Sequence, residues 1–152
     1  MDLRKIGKRK VATVYRDTSV GDAARFMRES HLGDVVVIDR SEGKIIPIGI
    51  LTDRDIVMST TALRISPFDF RVEDVMTKTL ITARSDDTLN HVISLMREYG
   101  VKRIPLVNEN GELDAIVAIE DVIRLLSEEL YALSQVYERQ QSLEEVRRRK
   151  IS

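Results

Sequence analysis

A hydroxyl and a carboxylate three residues apart, where an apolar strand gives way to a helix, form a chemistry suited to sugar hydroxyls and phosphates. The segment Gly49-Ile50-Leu51-Thr52-Asp53-Arg54-Asp55 has this form. Open N–H groups and the positive dipole end make a helix start favourable to anionic or polyhydroxylated ligands. An ionised carboxylate is acceptor-only, so Asp55 can take two O–H donors at once. A degraded copy, Ala115-Ile116-Val117-Ala118-Ile119-Glu120-Asp121, keeps the aspartate and loses the hydroxyl. Thr52-x-x-Asp55 also approximates a capping box, in which each side chain satisfies the other's backbone. Asp121 persists beside Ala118, so the aspartate does not depend on a paired cap.

Lys102 and Arg103 are the candidate phosphate clamp, Arg as a planar fork and Lys as a point charge. Their counterparts in the first half, Gly33 and Asp34, cannot bind an anion, which predicts two unequal sites. Adjacent strand residues point to opposite faces, so one of the two cations is expected at a given site; Arg103 is the better candidate, with Arg54 next. The alternative for the pair is a solvated strand edge or a salt bridge to Asp34 or Asp121. His31 and His91 stand beside apolar helical positions and read as partly buried structural histidines. No Ser/His/Asp spacing, phosphate-cradling glycine loop or metal-ligand cluster is present. Zero cysteines exclude disulfides, thiolate metal sites and a Cys nucleophile.

These residues are positioned by a tandem repeat. Val20, Ala23, Ala24 and Met27 fall at i, i+3, i+4, i+7, as do Leu89, Val92, Ile93 and Met96, predicting two amphipathic helices. The β-branched runs Asp34–Asp39 and Arg103–Asn108 read as buried strands. Turns at Ser41-Glu42-Gly43-Lys44 and Asn108-Glu109-Asn110-Gly111 lead into the motif strands. Upstream, Val11-Ala12-Thr13-Val14 matches Leu80-Ile81-Thr82-Ala83. Each half therefore reads strand, helix, strand, turn, strand, helix: an α/β fold.

This order of elements, with Gly-Ile-Leu-Thr-Asp-Arg-Asp and the lead-in Val72-Glu73-Asp74-Val75-Met76-Thr77, resembles the cystathionine-β-synthase-type (CBS) domain family. The resemblance covers about residues 8 to 130. It implies two βαββα repeats, 8–71 and 72–130, packed pseudo-symmetrically into one module, with an extended helical tail at 131–152. It further implies two clefts that commonly hold adenosine compounds. Asp55 would accept the ribose hydroxyls with Thr52 beside the ribose or phosphate, Asp121 would be the second such aspartate, and Val11, Ala12, Leu32 and Ile50 would line the adenine pocket. On sequence alone those four residues are merely core.

The chain has 152 residues, 43% hydrophobic and 32% charged, enough for a real core and too apolar for default disorder. No apolar run approaches a membrane span, and the N-terminus does not open into a signal-peptide core, so a cytoplasmic location is expected. Net charge is −1, which gives no overall pull toward nucleic acid. Lys5, Lys8, Arg9 and Lys10 at one end and Arg147–Lys150 at the other read as solvated termini or as a handle for an RNA, DNA or acidic protein partner. Val122, Leu126, Leu130, Leu133 and Tyr137 extend the last helix toward Arg148, leaving an apolar stripe that either folds back or pairs in a homodimer.

Taken with the adenosine ligands that the resemblance implies, these features predict a non-catalytic regulatory module sensing AMP, ADP, ATP or S-adenosylmethionine, with no required cofactor or metal and an unknown protein target. The alternative is a structural or partner-binding regulator with vestigial clefts. An enzyme ranks third, since nothing supplies a nucleophile or a tuned acid–base pair.

Overall fold

The computed structural model describes residues 3–41 and 43–151. Glu42 of the first expected turn and the side chain of Lys5 lie outside what is described. Each repeat forms a three-stranded sheet. The first contains β1 (Thr13–Tyr15), β2 (Asp34–Ser41) and β3 (Lys44–Thr52), and the second β4 (Ala83–Arg84), β5 (Arg103–Val107) and β6 (Leu113–Ala118). In both, the first pair is parallel and the second antiparallel.

Helices α2 (Val20–Ser30) and α5 (Leu89–Tyr99) make the parallel crossovers and bury Val20, Ala23 and Met27, and Leu89, Val92 and Met96. Each starts at a hydroxyl cap: Ser19 accepts from the Asp22 N–H and Thr88 from the His91 N–H. They end alike, at a left-handed residue, Gly100 in one and His31 in the other. His31 and His91 are both exposed, correcting the expectation of partly buried histidines: His31 follows a helix end, and His91 occupies the solvent side of α5.

β1 and β4 begin later than the apolar runs suggest. Val11, Ala12, Leu80 and Ile81 precede the ladders and serve the clefts described below. Two short helices, α1 (Leu3–Ile6) and α4 (Val72–Val75), were not expected from the sequence. They exchange places. Leu3 and Ile6 pack into the core of the second repeat, with Ile104, Leu106 and Val117. Val72, Val75 and Met76 pack into that of the first, with Val35, Val37 and Leu51. Backbone pairs fix each lead-in to its host strand: Lys8 N–H to the Ile116 carbonyl at 2.9 Å, and Thr77 N–H to the Ile50 carbonyl at 2.9 Å.

Side-chain size is matched across these crossings. A Cβ on Gly49 would stand 2.6 Å from Met76 Sδ and 2.8 Å from the Thr77 carbonyl oxygen. In the other repeat the pair is reversed, with Gly7 lying over Ala115, 3.2 Å from a Cβ built on Gly7 to that of Ala115. Ala115 is thus accommodated because the residue crossing it is glycine. Gly49→Ala is expected to destabilise the fold by about 1–3 kcal/mol, since backbone as well as Met76 must shift, whereas Ala115→Gly costs about 1 kcal/mol from backbone entropy. Chemical denaturation of the two variants measures the difference; equal losses would remove the crossing as the reason for Gly49.

Helices α3 (Asp53–Ser59) and α6 (Ile119–Ile151) follow the motif strands. α6 continues to Ile151, past the Arg148 expected from the pattern. No helix among the described residues is long and apolar enough to cross a membrane.

Candidate functional site

The exchange of lead-ins brings each motif against the other repeat, and two clefts result. The first, about 520 Å³, is lined by Ile50, Thr52, Asp53 and Arg54 of the first motif, with Thr77, Thr79, Leu80, Ile81, Val101 and Lys102 of the second repeat. The second, about 380 Å³, sets Ile116, Ala118 and Asp121 against Lys8, Lys10, Val11, Ala12, His31 and Leu32. Gly33, Asp34, Arg103 and Glu120 line both. Both volumes fall in the range of small-molecule sites.

This geometry corrects the single adenine pocket expected of Val11, Ala12, Leu32 and Ile50. The first three face Asp121, while Ile50 lies in the other cleft, where Leu80, Ile81 and Val101 are the counterparts of Val11, Ala12 and Leu32. The repeat alignment already pairs these residues. What it does not carry is the crossing that hands each motif the other repeat's apolar wall.

Thr52 and Asp55 form the capping box in full. Asp55 N–H donates to Thr52 Oγ1 at 3.1 Å, and Thr52 N–H donates to Asp55 Oδ2 at 2.9 Å. The first cleft is lined by Thr52, Asp53 and Arg54 but not by Asp55. Asp55 therefore has one oxygen committed to its own backbone.

Asp121 stands differently. Its side chain is 8% exposed; Oδ1 meets Arg124 at 3.2 Å and Lys8 at 3.8 Å. Oδ2 is buried with no hydrogen-bond partner among the described residues. A buried acceptor left open costs free energy, and this one belongs to a residue lining a cleft. Ala118 in place of a threonine leaves this aspartate without the hydroxyl of a capping box.

Arg103 occupies the seam between the clefts. Its Nε reaches Asp34 Oδ2 at 2.5 Å and its second nitrogen Glu120 Oε2 at 2.7 Å. The expected bridge to Asp34 is present, and the second partner is Glu120 rather than Asp121. Burial works against the charge, but the hydrogen bond donated to Glu120 and the charge of Asp34 outweigh it and raise the guanidinium above its ordinary value. The hydrogen bond from Arg103 likewise lowers Glu120. The separation of Lys102 and Arg103 into different clefts does not hold, because both line the first and Arg103 lines both. The strand starts at Arg103, so Lys102 precedes the alternation. Among the described residues there is no group of three His, Cys, Asp or Glu able to hold a metal.

Two βαββα repeats enclosing paired clefts beside the helix starts of their motifs define a two-repeat α/β module. The CBS domain is matched over residues 3–60 and 72–128, and the chain belongs to the CBS domain family. It is 29% identical to an uncharacterized protein of Methanopyrus kandleri over 93% of this chain and 69% of that one. It is 33% identical to an inosine-5′-monophosphate dehydrogenase of Staphylococcus haemolyticus over 72% of this chain, which spans only 21% of that enzyme. A CBS domain protein of unknown function from Thermoplasma acidophilum has the same fold, with a TM-score of 0.71 and 28% identity over 82% of this chain and 68% of that one. So does a CBS domain pair solved in complex with 5′-methylthioadenosine and S-adenosyl-L-methionine, with a TM-score of 0.69 and 25% identity over 83% and 99% of the two chains.

Proposed function

We propose that the chain is a non-catalytic regulatory module that binds an adenosine compound, with the Asp121 cleft as the primary ribose site. The observation that carries this reading is the open Oδ2 of Asp121. It belongs to a residue of the cleft whose opposite wall is Val11, Ala12 and Leu32, an apolar surface suited to a purine ring. Ribose hydroxyls are the donors such an oxygen lacks, and the adenosine ligands of the related domain pair support the same class. The first cleft is the weaker one, because Asp55 gives one oxygen to the capping box.

A bound ligand regulates by favouring one arrangement of repeats or subunits over another, to the extent that its affinity for the two differs. Calorimetric titration with adenosine, AMP, ADP, ATP, 5′-methylthioadenosine and S-adenosylmethionine tests the proposal. At least one is expected to bind, and its 2′,3′-dideoxy form to bind far less. If none binds, the clefts are vestigial and the chain is a partner-binding regulator.

Arg103 sets the response to phosphate. A phosphate must take the guanidinium from Asp34 and Glu120, and without Arg103 both carboxylates would face it uncompensated. Arg103→Ala is therefore expected to weaken AMP and ATP much more than adenosine, with the gap narrowing as salt rises. Equal losses for adenosine and AMP would make Arg103 a structural residue only.

A further inference from the structure

Beyond Leu126, helix α6 leaves the sheets, and its apolar side chains remain in solvent. Leu133 is 67% exposed and Val136 65%. Leu126, Glu129, Leu133, Val136, Gln140, Leu143, Arg147 and Lys150 follow one another in alternating steps of three and four. That is the spacing of a coiled-coil seam, which an isolated straight helix does not require.

We propose that this seam pairs with the same seam of a second copy, antiparallel, in the register that places Glu129 opposite Arg147. This register sets Leu133 against Leu143 and Val136 against Gln140 in the middle of the pair, and Leu126 against Lys150 at its ends. Leu130 and Tyr137, both 68% exposed, widen the apolar strip beside it. The charges choose the direction. A parallel pair would stack Glu129 on Glu129, Arg147 on Arg147 and Lys150 on Lys150 within the seam. The antiparallel pair replaces the first two repulsions with attractions and gives each Lys150 a leucine stem to lie along. It also opposes the two helix dipoles.

Length agrees. Leu126 to Lys150 covers roughly 36 Å at 1.5 Å per residue, so each helix end arrives where its partner's helix leaves the globule. The isologous arrangement closes on itself as a dimer.

The chain contains no cysteine, so an introduced thiol is unambiguous. Glu129→Cys and Arg147→Cys, made separately in the full chain, are expected to form a disulfide dimer when mixed and oxidised, and little when each is oxidised alone. Self-cross-linking of the single variants without the mixed product would establish a parallel pair and overturn the proposal. Light scattering is expected to show a dimer that Leu133→Asp dissociates while circular dichroism of the globule is kept; a monomeric parent, or a dimer indifferent to Leu133→Asp, rejects it. Arg147→Glu should weaken the dimer about tenfold through its two symmetric ion pairs. Adding Glu129→Lys should restore it, and failure to restore rejects the register.

Discussion

Asp121→Asn is expected to lose ligand affinity by about ten- to a hundredfold, the size of hydrogen bonds to a charged group at about 1.5–3 kcal/mol, while the free protein melts no lower than its parent. The two halves of this result have one cause. The Asp121 side chain is 8% exposed and meets Arg124 and Lys8, themselves well exposed, on Oδ1 alone. Exposed partners of that kind contribute little to stability. Oδ2 has no partner among the described residues, so the free protein keeps a buried charge that is incompletely satisfied. Neutralising it relieves the free state and leaves the bound one a single uncharged acceptor in place of two carboxylate oxygens. Calorimetry measures the first half and thermal unfolding the second. Asp55→Ala is the comparison: it removes the carboxylate that accepts from Thr52 N–H in the capping box, so its main cost falls on stability, at about 1 kcal/mol. If Asp121→Asn bound the ligand as the parent does while Asp55→Ala did not, the first cleft would be the ribose site.

The repeat, its strands and its two amphipathic helices were legible because they follow local rules. The pairs Val20 with Leu89 and Met27 with Met96 recur at helical spacing, and Ser19 and Thr88 sit where caps belong. The candidate residues other than Asp55 all line one cleft or the other, but their partition between the clefts was not legible. Val11, Ala12 and Leu32 belong with Asp121, because the chain crosses between repeats, and no periodicity within one repeat encodes a crossing. Arg103 shows a second limit: its type announces an anion, and its register on β5 decides that the anions are Asp34 and Glu120. The salt bridge to Asp34, 69 residues away along the chain, is among the alternatives the sequence offers; the one to Glu120 is not. Gly7 and Ala115 show a third. Ala115 reads as decay of the motif glycine until Gly7 is found across from it, after which the pair is a size exchange with Gly49 and Met76.

The lead-in exchange makes a position near the N-terminus as costly as one in the middle of a sheet. Chain ends are ordinarily where substitutions are tolerated, and the apolar patterning of the first repeat starts only at Val11. Leu3 is nevertheless fully buried, among Ile104, Leu106 and Val117 of the second repeat. Leu3→Ala is therefore expected to destabilise the protein by about 2–4 kcal/mol, the cost of removing a leucine side chain from a core that cannot fully collapse around the space. Leu63→Ala, at a side chain 62% exposed, is the control and should change stability by no more than about 0.5 kcal/mol. Val72 is the symmetric position, buried in the first repeat, and Val72→Ala should act in the same direction with a smaller loss, since fewer methyl groups are removed. Urea unfolding of the three variants decides the matter. The Leu3 substitution loosens the β5–β6 strands that carry Arg103 and lead to Asp121, so amide hydrogen exchange should rise first in the second repeat. If Leu3→Ala matched Leu63→Ala in stability and left exchange in β5 and β6 unchanged, α1 would not be docked in solution, and the wall that brings Lys8, Val11 and Ala12 to Asp121 would have to be held by the Lys8–Ile116 backbone pair alone.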